Sequence, residues 1–350
     1  MQHPKWIQLQ LTEKCNLNCT MCYERNSVAY EKEQFVLDIT RTKEIIDECS
    51  SFTPHYELFG GEPLMYPHLN ELLEYIHKKN SKVTIPTNGT LLAAKAKTLV
   101  GLSVEKIWVS LDGPPDINNR QRGAKSYQSA QKGIVSLYEH RLKARLEYPR
   151  IGVHCVVTPD NYTYLEDLIN NPDLFPYIDD FSFELQKYLT SDKYGEYIAF
   201  LNKKKPVTEA KYAKGYVQDI EAFASINYDD LNLSLNRIKE VCLKNNKGFY
   251  TNPGNLDINN IKNYFTAKWD KMTTHHKSCV FPFVYAEISA KGDVTLCHSF
   301  YDDVIGNIYT QKLLDIWNNS KATGLRKSIR KHLLPICFAC CSFFNNENNA

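Results

Sequence analysis

Apolar and polar residues alternate with a period of two in several short runs, and recur every three or four residues in the stretches between them. Ile7, Leu9 and Leu11 interleave with Gln8, Gln10 and Thr12, the pattern of a half-buried strand. Helix-like text follows over Phe35–Cys49, then a strand at Tyr56-Glu57-Leu58-Phe59. Leu69, Leu72, Leu73 and Ile76 fall at i, i+3, i+4 and i+7, one face of a helix. Val83-Thr84-Ile85, Lys106–Leu111, Ile151–Val157 and Phe181–Leu185 read as further strands, each preceded by a helical candidate. This alternation predicts an α/β fold with a parallel sheet and helices outside it. Six units are too few to close eight strands, so an open, partial (β/α)6 barrel is expected over residues 1–186.

Buried parallel strands are usually continuous apolar runs. Here Gln8, Gln10 and Thr12 share one face, as do Ser110 and Asp112, and as do Ser182, Glu184 and Gln186, while His154 interrupts the fifth strand. If Ile107, Val109, Leu111, Phe181, Phe183 and Leu185 pack outward on helices, the polar sets face the lumen. A polar lumen costs folding free energy unless it is hydrogen-bonded or wet, which points to a ligand-filled cavity. A solvated edge strand is the alternative, and it suits the first and sixth strands equally well. Residues 187–278 turn to Tyr, Lys and Asn with weak helical periodicity and read as a helical insertion or linker. In the last segment, 279–350, Phe283–Ser289 and Asp293–Cys297 form a hairpin pattern through Ala290-Lys291-Gly292. An amphipathic helix around Leu313–Trp317 follows, and Asn345–Ala350 is expected to fray.

The 350 residues are 43% hydrophobic and 23% charged, ordinary for a folded protein, and the net charge of +2 offers no broad footprint for nucleic acid or an anionic membrane. No apolar run approaches the ~20 residues that span a bilayer, and the N-terminus lacks a signal-peptide core, so a cytoplasmic location is expected. Eleven cysteines change the picture. In a reducing compartment, clustered cysteines point to metal or catalysis rather than disulfides. Cys15, Cys19 and Cys22 form one set; Cys279, Cys297, Cys337, Cys340 and Cys341 form another; Cys49, Cys155 and Cys242 stand alone and read as small buried hydrophobes.

Cys15-x3-Cys19-x2-Cys22 follows the first strand directly. Three thiolates on one loop can hold three corners of a cubane cluster and leave the fourth iron open, as catalytic sites require. A zinc site completed by His3 or Glu24 is the alternative. Gly60-Gly61-Glu62-Pro63 ends the second strand, Thr87-Asn88-Gly89 the third and Ser110-Leu111-Asp112-Gly113 the fourth. Glycines at a strand end admit close approach to the backbone, and Glu62 can accept from an ammonium group. In this order the motifs resemble the radical S-adenosylmethionine (SAM) superfamily, whose core is a TIM-like partial barrel. The resemblance implies that the three cysteines hold a 4Fe–4S cluster whose open iron chelates SAM. It further implies that Gly60, Gly61 and Glu62 hold the methionine amine, that Asn88 lies at the cofactor, and that Ser110 and Asp112 lie near the ribose hydroxyls. Where family members usually carry an aromatic residue before the third cysteine, this chain has Met21, and Tyr23 is the candidate for adenine contact. The reaction implied is reductive cleavage of SAM to a 5′-deoxyadenosyl radical, with a flavodoxin- or ferredoxin-type electron donor.

Cys279 and Cys297 are separated by 17 residues, and Cys337-x2-Cys340 follows. Four thiolates are a common zinc solution. Beside a radical-SAM motif, they resemble instead the twitch form of the SPASM extension, which implies one auxiliary 4Fe–4S cluster; Cys341 would then be a free thiol. The separations resemble those of radical-SAM aminocyclitol dehydrogenases, which implies net oxidation of a hydroxylated small molecule. His154 or Glu184 would serve as the base if near the substrate. Maturation of a ribosomal peptide, by crosslinking or epimerisation, is the rival reading, and a non-enzymatic zinc scaffold is a third.

Overall fold

In the computed structural model, which describes residues 3–27, 34–254, 256–273, 279–298 and 301–340, the alternating runs become neighbouring strands. β1 (Trp6–Thr12), β2 (His55–Gly60), β3 (Val83–Thr87), β4 (Val104–Ser110), β5 (Arg150–Val157) and β6 (Asp180–Leu185) pair in parallel in chain order. Their outward set, including Ile7, Leu9, Leu58, Ile85, Ile107, Val109, Val153 and Phe181, is fully or almost fully buried. Helices α2 (Ile39–Cys49), α3 (Leu69–Lys78), α4 (Leu92–Leu99) and α6 (Ser126–Ala144) connect β1 to β5 in turn, after the short α1 (Tyr23–Asn26) and with α5 (Pro115–Arg122) between α4 and α6. β5 and β6 are joined instead by two short 3-10 turns, Leu165–Leu168 and Phe175–Tyr177, where a helix is expected from the sequence. α2 starts at Ile39 rather than near Phe35 because the Asp38 carboxylate caps it, accepting from the Arg41 N–H. Cys49, Cys155 and Cys242 are each fully buried in the core.

Two further features depart from the sequence expectation. Residues 187–278 contain not only helices α7 (Ser191–Asn202) and α8 (Tyr228–Lys244) but also β7 (Gly248–Asn252), a seventh parallel strand beside β6. Its short run, Gly248-Phe-Tyr-Thr-Asn252, has little apolar alternation, so pattern alone hid it. The C-terminal hairpin, β8 (Tyr285–Ile288) and β9 (Asp293–Thr295), is also no detached unit. β8 pairs in parallel with β1, so the hairpin and the short β10 (Gly306–Asn307) extend a single sheet in the order β10-β9-β8-β1-β2-β3-β4-β5-β6-β7. The expected frayed end at Asn345–Ala350, and Cys341, lie outside the described residues. No helix among the described residues is long and apolar enough to cross a membrane.

α8 packs against β7 and is capped at its start by Asn227, whose side chain accepts from the N–H groups of Asp229 and Asp230. Asn227→Ala should lower stability by about 1 kcal/mol, read as a lower thermal midpoint with unchanged far-UV circular dichroism.

Candidate active site

The Cys15–Cys22 loop leaves the end of β1 and is pinned at three places. The first is the end of β2, where the N–H groups of Gly61 and Glu62 donate to the carbonyls of Thr12 and Lys14 at 2.7 and 2.8 Å. Gly60 takes φ +137°, and a Cβ there would stand 2.3 Å from the Thr12 carbonyl oxygen; at Gly61 it would stand 2.4 Å from that of Lys14. The close approach these glycines permit includes that of the chain's own backbone, and both also line the cavity. The second pin is the end of β3, where Asn88 Nδ2 donates to Asn16 Oδ1 at 2.9 Å and Asn16 Nδ2 to the Thr90 hydroxyl at 2.8 Å. The third is the end of α5, where the Gln121 carbonyl accepts from the Thr20 N–H at 2.9 Å.

Glu62 and Asp112 hold the frame together. Glu62 Oε1 accepts from the Leu64 N–H and the Thr87 hydroxyl at 3.0 and 2.7 Å, and Oε2 from the Asn88 N–H at 2.8 Å. Glu62 still lines the cavity, and a carboxylate has lone pairs beyond these three. Asp112 does not line it. Its oxygens take Arg122 at 2.6 and 3.1 Å and the Val156 N–H at 3.0 Å, and the residue is fully buried. Here Asp112 is turned to Arg122 rather than into the cavity. Ser110, on the lumen face of β4, does line the cavity.

Cys15, Cys19 and Cys22 are half-buried, free, and open onto one cavity of about 1150 Å³ with Met21 and Tyr23. Burial pushes all three thiols up, Cys22 to about 11, while Arg25 opposes the rise at Cys15 and Arg122 opposes it at Cys19. Thiolates in such a place need compensating positive charge, which a metal cluster and these guanidiniums would supply. His3 stacks on Phe52, 4.1 Å between ring centroids, which leaves Glu24 as the one neighbouring candidate for a fourth zinc ligand. Among the described residues no three His, Cys, Asp or Glu side chains converge as a single metal ion requires. Three free thiols around one wall suit a wider cluster with an open corner. Tyr23 stacks on Tyr216 at 4.6 Å and 17°. Tyr216 belongs to the 187–278 segment, which abuts the loop so closely that a Cβ on Gly215 would stand 2.2 Å from the Tyr23 carbonyl oxygen.

The cavity runs from this loop down the lumen, where His154 and Glu184 come together. His154 Nδ1 lies 3.2 Å from the Ser182 hydroxyl and Nε2 lies 3.9 Å from Glu184 Oε2; Glu184 Oε1 lies 3.3 Å from Lys187 Nζ. Burial lowers the His154 pKa, the state of an imidazole able to take a proton. Of the polar residues on β1, Gln8 lines the cavity, with its amide donating to Glu287 at 2.8 Å. Gln10 and Thr12 are turned to internal partners instead: Gln10 to Glu24 and the Ala290 N–H, Thr12 to the Lys14 N–H. Lys187, Glu57 and His298 line the cavity and went unread. Glu57 was legible, since His55, Glu57 and Phe59 alternate with Tyr56 and Leu58 as on the other strands. Burial raises the Glu57 pKa to about 7 and that of Glu24 to about 8.

The C-terminal cysteines lie in and against the core, with Cys340 close to His298. Cys297, Cys337 and Cys340 are buried in the core, with Cys279 packed against it. Burial raises the thiols of Cys279 and Cys337, and Cys340 adds to the rise at both, which puts these three within electrostatic reach of one another. Cys297 and Cys337 both act on Tyr197. His298 joins the two regions, lining the cavity while its Nε2 lies 3.7 Å from Cys340 Sγ.

A Cβ at Gly61 must displace the backbone that carries the cysteine loop. Gly61→Ala should therefore cut the iron retained after reconstitution by at least half, measured colorimetrically against protein whose circular dichroism is unchanged. Glu57 has its own signature. Its folded pKa of about 7 exceeds the ordinary 4.5, so the folded state binds this proton more tightly than the unfolded chain. The stability so gained is complete below about pH 4.5 and is lost as pH rises through 7. Glu57→Gln should be more stable than the wild type at pH 8, by about 1–3 kcal/mol, and match it near pH 4.5, as thermal midpoints across pH will show.

A model of the radical SAM superfamily matches residues 9–171, and one of the SPASM iron–sulfur cluster-binding domain matches residues 279–341. The tungsten-containing aldehyde ferredoxin oxidoreductase cofactor-modifying protein of Pyrococcus furiosus is 26% identical over 96% of this chain and 87% of its own. The subtilosin biosynthesis protein AlbA of Bacillus subtilis is 31% identical over 41% of this chain and 32% of its own. Among solved structures, Streptococcus suis SuiB bound to precursor peptide SuiA superposes with a TM-score of 0.65 at 16% identity, covering all of this chain and 72% of that one. The enzyme anSMEcpe with bound AdoMet gives 0.61 at 16% identity over 96% of this chain and 88% of that one. These two share its TIM-like partial-barrel fold. The cofactors that go with the two domains are a SAM-binding 4Fe–4S cluster, SAM, and auxiliary iron–sulfur. With the motifs in strand order and both domain models matched, the chain carries a radical SAM domain over residues 9–171 and a SPASM domain over residues 279–341.

Proposed function

We propose that this chain is a two-cluster radical SAM enzyme that carries out a net oxidation of a peptide held in the lumen. Cys15, Cys19 and Cys22 hold the SAM-binding cluster, and Cys279, Cys297, Cys337 and Cys340 hold the auxiliary one. The observation that carries the reading is the single cavity of about 1150 Å³ reaching from the first cysteine loop to His298, beside Cys340. That volume exceeds the ~300–1000 Å³ of ordinary small-molecule pockets, leaving room for a substrate segment beside SAM. The similarity to a protein of subtilosin biosynthesis supports a peptide.

When bound, the reduced cluster and SAM supply a radical able to take a hydrogen atom from an unactivated carbon. The chain's own groups do the rest. Glu62 and Asn88 orient SAM at the loop, Ser110 faces its ribose, and Met21 and Tyr23 border its adenine. His154, kept neutral by burial and flanked by Glu184, accepts the proton that the substrate radical sheds, and the remaining electron would pass to the auxiliary cluster that Cys279, Cys297, Cys337 and Cys340 would hold. Lys187 holds Glu184 in place at 3.3 Å. The enclosing walls exclude water and stray hydrogen donors.

Oxidation of a hydroxylated small molecule is the second reading, favoured by Ser110, Ser182 and Glu184 lining the same cavity. The two share their first half, and that half is testable now. Reconstituted protein with dithionite and SAM should release 5′-deoxyadenosine, and a variant with Cys15, Cys19 and Cys22 all changed to Ala should release none; release by that variant would sink the assignment. Cys279→Ala should lose part of the iron yet keep some uncoupled cleavage, measured by chromatography of the nucleoside product.

A further inference from the structure

The sheet ends at β7 on one side and at β10 on the other, and the two edges are treated differently. β10 is only two residues long, and the Asn307 side chain ties it back to Lys291 and Asp293. β7 is five residues long and carries no lysine, proline or bulge, the usual means of blunting an edge. In a parallel pair, alternate residues of one strand bond to the same neighbour. Gly248 donates to Asp179, so Gly248, Tyr250 and Asn252 bond towards β6, and the N–H and C=O of Phe249 and Thr251 point the other way. Among the described residues nothing takes up those four groups.

That free edge opens into the site. Phe249, Tyr250, Thr251 and Asn252 all line the cavity. One face of a strand would contribute only alternate residues, and the Phe249 ring is in any case turned against Phe183; four in succession mark an edge. Trp6, Phe281 and Tyr285 line the same cavity and offer apolar surface for the side chains of an incoming strand. Asn252, at the end of β7, lies opposite Glu184 in the ladder, so whatever runs along the edge is led towards Glu184 and His154.

We infer that the free edge of β7 is the docking strand for the substrate: an extended peptide segment adds to the sheet there, with its backbone bonded to Phe249 and Thr251. This rests on the peptide reading of the function and adds to it how the backbone is held. Backbone pairing fixes register without reading side chains, so selectivity falls to the walls.

The test uses reconstituted holoenzyme with SAM and a pool of synthetic decapeptides randomised at every position, with retained peptides counted by mass spectrometry. A second pool is N-methylated at every backbone amide. Thr251→Pro removes one outward N–H without touching the ladder to β6, and Tyr250 before it is already extended. Thr251→Val keeps that N–H. The wild type and Thr251→Val should retain the unmethylated pool equally, with Thr251→Pro weaker by about threefold to tenfold, the effect of one hydrogen bond, and the methylated pool at least as much weaker. Equal retention of both pools by the wild type would overturn the edge and leave the peptide reading standing. So would undiminished binding by a Thr251→Pro protein of unchanged melting temperature. If the wild type retained neither pool, the peptide reading would fall and the edge with it. Should Thr251→Pro fail to fold, the two pools on the wild type still decide.

Discussion

The contact on which the site depends is one of backbone against backbone. The chain leaving β1 passes over the end of β2 so closely that no side chain fits at Gly60 or Gly61, and two N–H···O bonds from Gly61 and Glu62 hold Thr12 and Lys14 there. Everything that follows in the cysteine loop inherits its position from this crossing. Glu62 carries the constraint onward to the end of β3, and the buried Asp112–Arg122 pair carries it from β4 to the loop's far side. Each strand end thus contributes one fixed point, and a loop with several fixed points is preorganised for a cluster.

The polar interior is sustained by pairing rather than by exposure. Gln8 and Tyr285 satisfy Glu287, Gln10 reaches Glu24, and Glu184 lies between His154 and Lys187. Glu24, Glu287 and also Glu57 are still held above the ordinary carboxyl range because burial disfavours their charge. Groups titrating near neutrality inside a cavity are the raw material of proton transfer.

The segment between the barrel and the C-terminal cysteines does more than connect them. It supplies β7 at the sheet edge, Tyr216 beneath Tyr23, and Gly215 against the first cysteine loop. Through β8, the C-terminal hairpin is joined to β1, the strand that leads into that loop. The first cysteine set opens onto the cavity, and the second, far away along the chain, is linked to the same cavity through His298.

By itself the sequence determined the parallel sheet, the outward apolar faces of β1, β4 and β6, the two cysteine sets, and the strand-end motifs in their order. Those are local signals: a period of two, a spacing of thiols, a glycine pair after a strand. Only the tertiary structure decided what the motifs touch. Gly60 and Gly61 admit the chain's own backbone, Asp112 turns inward to Arg122, and Gln10 and Thr12 bond within the protein, because each partner is distant in sequence or on another strand. β7 was hidden for a related reason. An edge strand at the rim of the cavity, with Phe249 turned against Phe183 and its other residues only partly covered, carries little of the pattern by which buried strands are read.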